Sequence, residues 1–219
     1  MTIFFIIFFA VVIVVVAVLI HIVSRMPSYT YRQGAAAERK VTKELATLPQ
    51  EEYVALNDLL LPTSYGATQI DHVVFSTHGV YVIEIKDCRG NITGDEISEQ
   101  WEQNFHGYRM KMGNALRQNK NHVDIIIHHA RLNRNVPVYN IVAFTRRANF
   151  NIDHEHGKVI YIDELLSTIR RLRSNKPTLT KDQILIGTNL LLSQNIVDPE
   201  LREKHYLATK EQNIVISAK

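Results

Sequence analysis

Cysteine is almost absent from this chain, which has one, Cys88, among 219 residues. A single thiol cannot close an internal disulfide, so the composition excludes a small extracellular domain held together by disulfides. A strong excess of one charge is also missing, because 25 Lys and Arg against 22 Asp and Glu leave a net charge of +3. That imbalance is too small, by itself, to indicate nucleic acid or anionic lipid as a partner.

Charged residues are missing from the first 24 positions, and residues 3–23 are almost entirely apolar. About 20 residues rise roughly 30 Å in a helix, the thickness of the hydrocarbon core of a bilayer. A cleaved signal peptide fits less well, because no positive segment precedes the run and no A-x-A-like site follows it. Arg25 and Arg32 come after the run. We therefore expect residues 1–24 to be a transmembrane helix in contact with the lipid bilayer. The protein would be a single-pass protein of the cell membrane, with its N-terminus outside and its C-terminal domain cytoplasmic.

Beyond the apolar run, the predicted elements alternate between helices and strands. Residues 25–33 are expected to form a juxtamembrane linker and residues 34–150 a domain. Residues 151–219 are expected to add a C-terminal strand and helices packed on the same domain. This order is typical of an α/β fold with a central mixed β-sheet flanked by helices. Roughly 185 residues are ample for one hydrophobic core.

Three charged residues interrupt an apolar hairpin at residues 69–87, QIDHVVFSTHGVYVIEIKD. Side chains alternate along a strand, so Glu84 and Lys86 share one face of the second strand. A two-residue turn that begins at Thr77 would place Asp71 opposite Glu84, and a turn one residue later would place it opposite Lys86. Both alternatives bring the three charged side chains together on one face.

Two neighbouring carboxylates in an apolar hairpin repel each other, so they raise a pKa or require a cation. Acidic side chains and a backbone carbonyl supply the hard oxygen ligands that Mg²⁺ or Mn²⁺ prefers. A lysine beside such a metal stabilises charge on a phosphoryl group. On the chemistry alone, a structural ion pair is an equal alternative, because structural networks also perturb carboxylates.

Several short motifs follow one another in the order found in one nuclease family. They are the helix Gly34–Glu38, QIDH at 69–72, GVYVIEIK at 79–86, GNITG at 90–94 and NALRQ at 114–118. Together, across residues 34–132, they resemble the nuclease-related domain (NERD) family of the PD-(D/E)XK nuclease superfamily. Ala37 and Ala115 stand where that family commonly has glycine and proline, and neither change removes a chemical group.

The resemblance implies a restriction-endonuclease-like fold and a divalent metal site in the charged hairpin. Asp71 and Glu84 would hold Mg²⁺ or Mn²⁺ with the help of the carbonyl of Ile85. These are the two carboxylates that the hairpin brings to one face.

The resemblance also implies roles for three further side chains. Lys86 would position the attacking water, Glu38 would complete the acidic cluster, and Gln118 would support the site from a helix. The expected function is a membrane-anchored, metal-dependent nuclease that hydrolyses phosphodiester bonds of nucleic acid, with DNA as the expected substrate. The alternative is a non-catalytic, membrane-tethered module that binds nucleic acid or protein. Neighbouring carboxylates would repel phosphate in such a module, which favours the enzyme.

Overall fold

A computed structural model describes residues 14–16 and 29–217. Its helices are α1 (Tyr29–Leu45), α2 (Ala115–His129), α3 (Leu165–Arg171), α4 (Lys181–Gln194) and α5 (Pro199–Ser217), with a 3-10 helix at Ile162–Glu164. Its strands are β1 (Tyr53–Thr63), β2 (Gly66–Ser76), β3 (Gly79–Lys86), β4 (Gly90–Asp95), β5 (Gln100–Phe105), β6 (Tyr108–Gly113), β7 (Val138–Phe144), β8 (Ala148–Asp153) and β9 (Lys158–Tyr161).

The larger sheet has five strands in the order β1-β2-β3-β7-β9. The pairs β1–β2 and β2–β3 are antiparallel, whereas β3–β7 and β7–β9 are parallel. Helix α1 packs on one face, where Val41 contacts a cluster that includes Val74 and Tyr81. Helices α2 and α4 pack on the other face, against a cluster that includes Val73 and Val82. Because both faces are covered, β3 is apolar at nearly every position and buried from Gly79 to Ile85.

The smaller sheet has four strands in the order β6-β5-β4-β8. Two of its strands, β4 and β8, follow β3 and β7 of the larger sheet along the chain. Strands β3 and β7 end as the pair Lys86–Phe144, and the chain resumes as the parallel pair Gly90–Ala148. Trp101 fills the core of the smaller sheet and is 1% exposed. The prediction of a mixed α/β fold with flanking helices is therefore correct. The prediction of a single central sheet is wrong. The chain continues from β3 into β4 and from β7 into β8, and β4 and β8 pair in the smaller sheet.

The hairpin between β2 and β3 has the turn that begins at Thr77. Ser76 lies opposite Gly79, and the ladder continues to the pair His72–Ile83. Gly79 has a φ of 147°, and a Cβ there would lie 2.9 Å from the ring of Tyr139, so this position requires glycine. The register confirms the first of the two predicted alternatives.

The structure contradicts the transmembrane prediction. Within residues 14–16 and 29–217, no helix is long and apolar enough to cross a membrane. That prediction rested on the length of the apolar run, on the missing features of a signal peptide and on the arginines after the run, and the localisation at the cell membrane depended on it. Residues 14–16 of the apolar run are helical, and the rest of the run lies outside the described residues. Helix α1 begins at Tyr29, so it includes part of the segment expected to be a linker.

A buried amide joins helix α2 to the centre of the larger sheet. The side chain of Asn119 is fully buried, and its Nδ2 donates to the carbonyl oxygens of Val82 at 2.9 Å and Ile141 at 3.1 Å. It also lies 2.8 Å from Oδ1 of Asn140, whose own Nδ2 donates to the carbonyl of Leu116. These bonds fix the position of α2 relative to β3 and β7. They therefore also position the side chains of α2 that face the end of β3.

Replacing Asn119 by Ala should lower the free energy of unfolding by about 2–3 kcal/mol, because buried acceptors on two strands lose their donor. Urea denaturation followed by circular dichroism measures the change. Asn135, which is exposed in a loop, is the matched control. Asn135→Ala should stay within about 0.5 kcal/mol of the wild type. Equal losses in the two variants would contradict this role of Asn119.

Candidate active site

The carboxylate of Asp71 lies where β2 and β3 separate. The ladder between these strands ends at His72–Ile83, and one residue further Oδ2 of Asp71 accepts the backbone N–H of Ile85 at 2.7 Å. A side chain thus replaces the backbone acceptor that a continued ladder would offer. Because N–H and C=O of one residue point to the same edge of a strand, the backbone of Ile85 faces Asp71 on that edge.

Strand β1 is also interrupted beside Asp71. The β1–β2 ladder includes the pairs Asn57–His72 and Leu59–Ile70, but it skips the residue between them on each strand. On β1 that residue is Asp58, whose φ is 53°. Such a left-handed conformation is uncommon outside glycine, although aspartate adopts it more easily than most residues. The sheet is therefore open on both sides of Asp71.

Glu84 and Lys86 form a contact pair on β3. Glu84 is 4% exposed, and its Oε1 accepts a hydrogen bond from Nζ of Lys86 at 2.6 Å. The same ammonium donates to Oε1 of Gln118 on α2 at 3.0 Å. The other carboxylate oxygen, Oε2, is buried without a hydrogen bond and lies 3.4 Å from Nδ1 of His122. The alternation along β3 therefore places both charged side chains under α2, as expected.

Burial and opposite charge compete at this pair. Burial raises the pKa of Glu84, but the positive charge of Lys86 and the neighbouring His122 outweigh it and lower the pKa to about 2. Burial likewise lowers the pKa of Lys86, but the charge of Glu84 outweighs it, so the pKa of Lys86 is raised. Both groups are therefore ionised at neutral pH, with Lys86 as a fixed cation.

The two remaining carboxyl groups have the opposite response. Burial raises the pKa of Asp71 well above its usual value, and the negative charges of Glu84 and Glu38 raise it further. Burial also raises the pKa of Glu38, together with repulsion from Asp58 and Glu84. The shifts show that Glu38 on α1 senses the same electrostatic site. Lys86 lowers the pKa of both groups, but burial and the neighbouring carboxylates outweigh it.

A cavity of about 470 Å³ opens beside these carboxyl groups. Glu38 lines it from α1 and Asp71 lines it from β2, while Arg202 and Tyr206 line it from α5. The candidate site thus comprises the Glu84–Lys86 pair at the end of β3 and the carboxyl groups of Asp71 and Glu38, which line this cavity.

The residues present fit a divalent cation. In residues 14–16 and 29–217, no group of three or more His, Cys, Asp or Glu side chains is arranged to hold a metal. A site made from two carboxylates and one carbonyl oxygen does not require such a group. Oε2 of Glu84 is buried without a hydrogen bond, with Nδ1 of His122 at 3.4 Å, and it is an oxygen atom of the type that such a cation prefers.

The structure brings most of the predicted residues together. Lys86 contacts both Glu84 and Gln118, and the backbone of Ile85 contacts Asp71. Glu38 interacts electrostatically with Glu84 and Lys86.

Three further residues neighbour the site, and two of them, Asp58 and Arg202, were not predicted. Asp58 lies opposite Asp71, Arg202 reaches the site region from α5, and the ring of His122 faces Glu84. His122 follows Gln118 by four residues, a spacing that places both side chains on one helix face. That spacing was the available signal for His122. Arg202 had none, because its partner lies 144 residues away.

A mixed sheet with an acidic residue and a lysine at the end of β3 is the arrangement that the resemblance to the PD-(D/E)XK group implies. The nuclease-related domain family matches residues 33–145. The chain therefore belongs to the nuclease-related domain (NERD) family, which is part of the PD-(D/E)XK-like nuclease group. An uncharacterised protein of Bacillus anthracis is 29% identical over 201 residues, which cover 89% of this chain and 93% of that protein. No solved structure matches the chain.

Replacing Asp71 by Asn should stabilise the metal-free protein. Asn still accepts the N–H of Ile85, but it has no charge to bury. The pKa of Asp71 is raised in the folded state. Protonated Asp71 therefore contributes its full stability below the unfolded-state pKa of about 4, and this stability is lost as the pH rises through the raised pKa. In EDTA at pH 7, the melting temperature of Asp71→Asn should therefore exceed that of the wild type by about 2–4 °C for each kcal/mol of stability gained. At pH 4 the melting temperature should not rise.

Thermal denaturation of wild type and Asp71→Asn at both pH values measures this difference. Asp153→Asn, at an exposed strand position, is the control and should change nothing. A gain of equal size at both pH values would show that the charge of Asp71 is not its cause.

Proposed function

We propose that the chain is a metal-dependent nuclease that hydrolyses phosphodiester bonds of nucleic acid, with DNA as the expected substrate. The observation that carries this proposal is the buried Glu84–Lys86 pair, at 2.6 Å, beside a second carboxyl group whose pKa is raised. Membership of a nuclease-related family supports the same conclusion. A module that only bound nucleic acid would gain nothing from acidic groups that repel phosphate.

Asp71, Glu84 and the carbonyl of Ile85 would hold Mg²⁺ or Mn²⁺. All three offer hard oxygen ligands, and Glu84 has a buried oxygen without a hydrogen bond. A divalent cation bound there would lower the pKa of a water molecule and withdraw charge from the phosphate. Glu38 on α1 would add negative charge that favours binding of the cation, since its carboxyl group already interacts with that of Asp71.

Lys86 supplies positive charge at the end of β3. Its ammonium is fixed by Glu84 on one side and by Gln118 on the other. A preorganised cation stabilises charge that develops on a phosphoryl group and costs little reorganisation during the reaction. The third N–H of the ammonium is left to orient a water molecule or a phosphate oxygen. Gln118 acts through Lys86 and is a positioning residue.

Replacing Lys86 by Ala should lower the rate of cleavage at least about a hundredfold, the size expected for loss of a fixed electrostatic donor. Full-length protein is incubated with linear and plasmid DNA, and with RNA, in Mg²⁺, Mn²⁺ or EDTA. Cleavage should require the metal and should be lost in Lys86→Ala. Lys181→Ala, at an exposed position on α4, is the matched control and should retain full activity.

Equal cleavage by wild type and Lys86→Ala would refute the proposed site. Binding of nucleic acid without cleavage in any metal would instead favour the non-catalytic module.

Replacing Gln118 by Ala should lower kcat about tenfold and change KM little, because Lys86 keeps its contact with Glu84 but loses its second partner. Gln118→Glu should restore the contact to the ammonium and part of the activity. Steady-state cleavage kinetics distinguish the two variants. If both variants lose activity equally, Gln118 acts in some way other than by holding Lys86.

A further inference from the structure

Helix α5 forms one wall of the cavity beside the candidate metal site. Arg202, Glu203 and Tyr206 line the cavity from α5, while Glu38 lines it from α1 and Asp71 from β2. A ligand that enters this cavity therefore contacts α5 as well as the acidic groups of the candidate site.

The start of α5 is attached to strand β1. Nη2 of Arg202 lies 2.5 Å from Oδ1 of Asp58 and 3.3 Å from its carbonyl oxygen, and Nη1 donates to the carbonyl of Ile196 at 3.0 Å. In the segment before α5, the N–H of Ile196 donates to the carbonyl of Leu60 at 2.8 Å. The N–H of Leu60 donates in turn to Oδ1 of Asn195 at 2.9 Å. The cavity wall is therefore a fixed part of the fold.

Helix α5 connects the edge strands of the two sheets. It is attached to β1, the edge strand of the larger sheet, and it also contacts β6, the edge strand of the smaller one. The helix also borders the cavity that Asp71 lines. A nucleic-acid duplex that approached Asp71 through this cavity would have to fit beside α5.

The size of the cavity suits a single nucleotide. Its volume of about 470 Å³ lies within the range of roughly 300–1,000 Å³ that is typical of small-molecule sites. A base held in a duplex cannot enter such a recess unless it first leaves the stack. An unpaired base already has that freedom.

Two side chains in the lining suit the base and the phosphate of an unpaired nucleotide. The carboxyl groups of Glu38, Asp58, Asp71 and Glu203 also line the cavity, so a divalent cation should strengthen the binding. Tyr206 provides an aromatic ring, and bases of any sequence stack on such rings. Arg39, exposed on α1, lines the same cavity and provides guanidinium donors that match a phosphate group.

We propose that this cavity binds an unpaired nucleotide, and that α5 restricts the site to single-stranded nucleic acid. The inference rests on the proposed function for the chemistry, but binding tests it separately from cleavage. Tyr206 on α5 and Arg39 on α1 are then specificity-determining residues supplied by two different helices.

Fluorescence anisotropy with full-length protein tests the inference without turnover, in EDTA and in Ca²⁺. The probes are fluorescein-labelled twelve-nucleotide strands of thymidylate and of uridylate, and a DNA hairpin with a duplex stem of similar length. At least one single strand should bind about tenfold more tightly than the hairpin duplex. The comparison of the two strands identifies the preferred sugar. Equal affinity for duplex and both strands would overturn the inference.

Two variants on different elements localise the binding. Tyr206→Ala should weaken single-strand binding about fivefold to a hundredfold, as expected for the loss of one stacked base, and Tyr206→Phe should not. Arg39→Ala should also weaken single-strand binding, independently of Tyr206, because Arg39 lines the cavity from α1. The controls are Tyr65→Ala and Arg134→Ala, at exposed positions outside the cavity. If the cavity variants bind like their controls, the cavity is not the binding site.

Cleavage assays separate this inference from the proposed function. If duplex and single strands are cleaved equally fast in Mg²⁺ or Mn²⁺, the nuclease assignment stands and the restriction by α5 is wrong. If nothing is cleaved but single strands bind with the predicted sensitivity to Tyr206→Ala, the binding site stands and the nuclease assignment fails.

Discussion

The hydrogen bond from the backbone N–H of Ile85 to the carboxylate of Asp71 is the contact on which the candidate site depends. It ends the β2–β3 ladder one pair after His72–Ile83, because a side chain takes the place of a backbone acceptor. The strands can then separate, and the end of β3 becomes accessible from the side of β2. If the ladder continued through this position, backbone pairing would occupy the edge of Ile85 that faces Asp71. A local substitution of one acceptor for another thus converts the end of a regular hairpin into a recess.

The separated strands hold charges that the rest of the fold must tolerate. Glu84 is buried and ionised because Lys86 lies against it, whereas Asp71 has no cation of its own and its pKa is raised. Apolar contacts on both faces of β3 and the buried amide of Asn119 keep these groups in place despite their repulsion. Packing elsewhere in the fold offsets repulsion of this kind between charges at one site.

The sequence predicts the local part of this arrangement better than the long-range part. Alternation along one strand was enough to place Glu84 and Lys86 on the same face, and the turn offered two registers of which one is observed. The interruption at Asp58 has no local signal, because it is defined by pairing with β2 and by the contact with Arg202. The smaller sheet was missed for a similar reason, since β4 pairs with β8 across more than fifty residues. The apolar run near the N-terminus shows the limit of composition: its length allowed a membrane span but did not establish one.

The division of the chain into a family-matched part and a later part has a physical meaning. The match ends at residue 145, and all the proposed metal-binding and positioning residues lie within it. The wall of the cavity comes from Arg202 and Tyr206, which lie beyond it. Chemistry at a phosphate depends on a few atoms held at the end of β3. The proposed choice between single-stranded and double-stranded nucleic acid depends instead on the part of the cavity wall that α5 forms. The ion pair between Arg202 and Asp58 connects the two parts of the chain. Asp58 interrupts the sheet beside Asp71, and it also holds α5, the helix that we propose restricts access to Asp71.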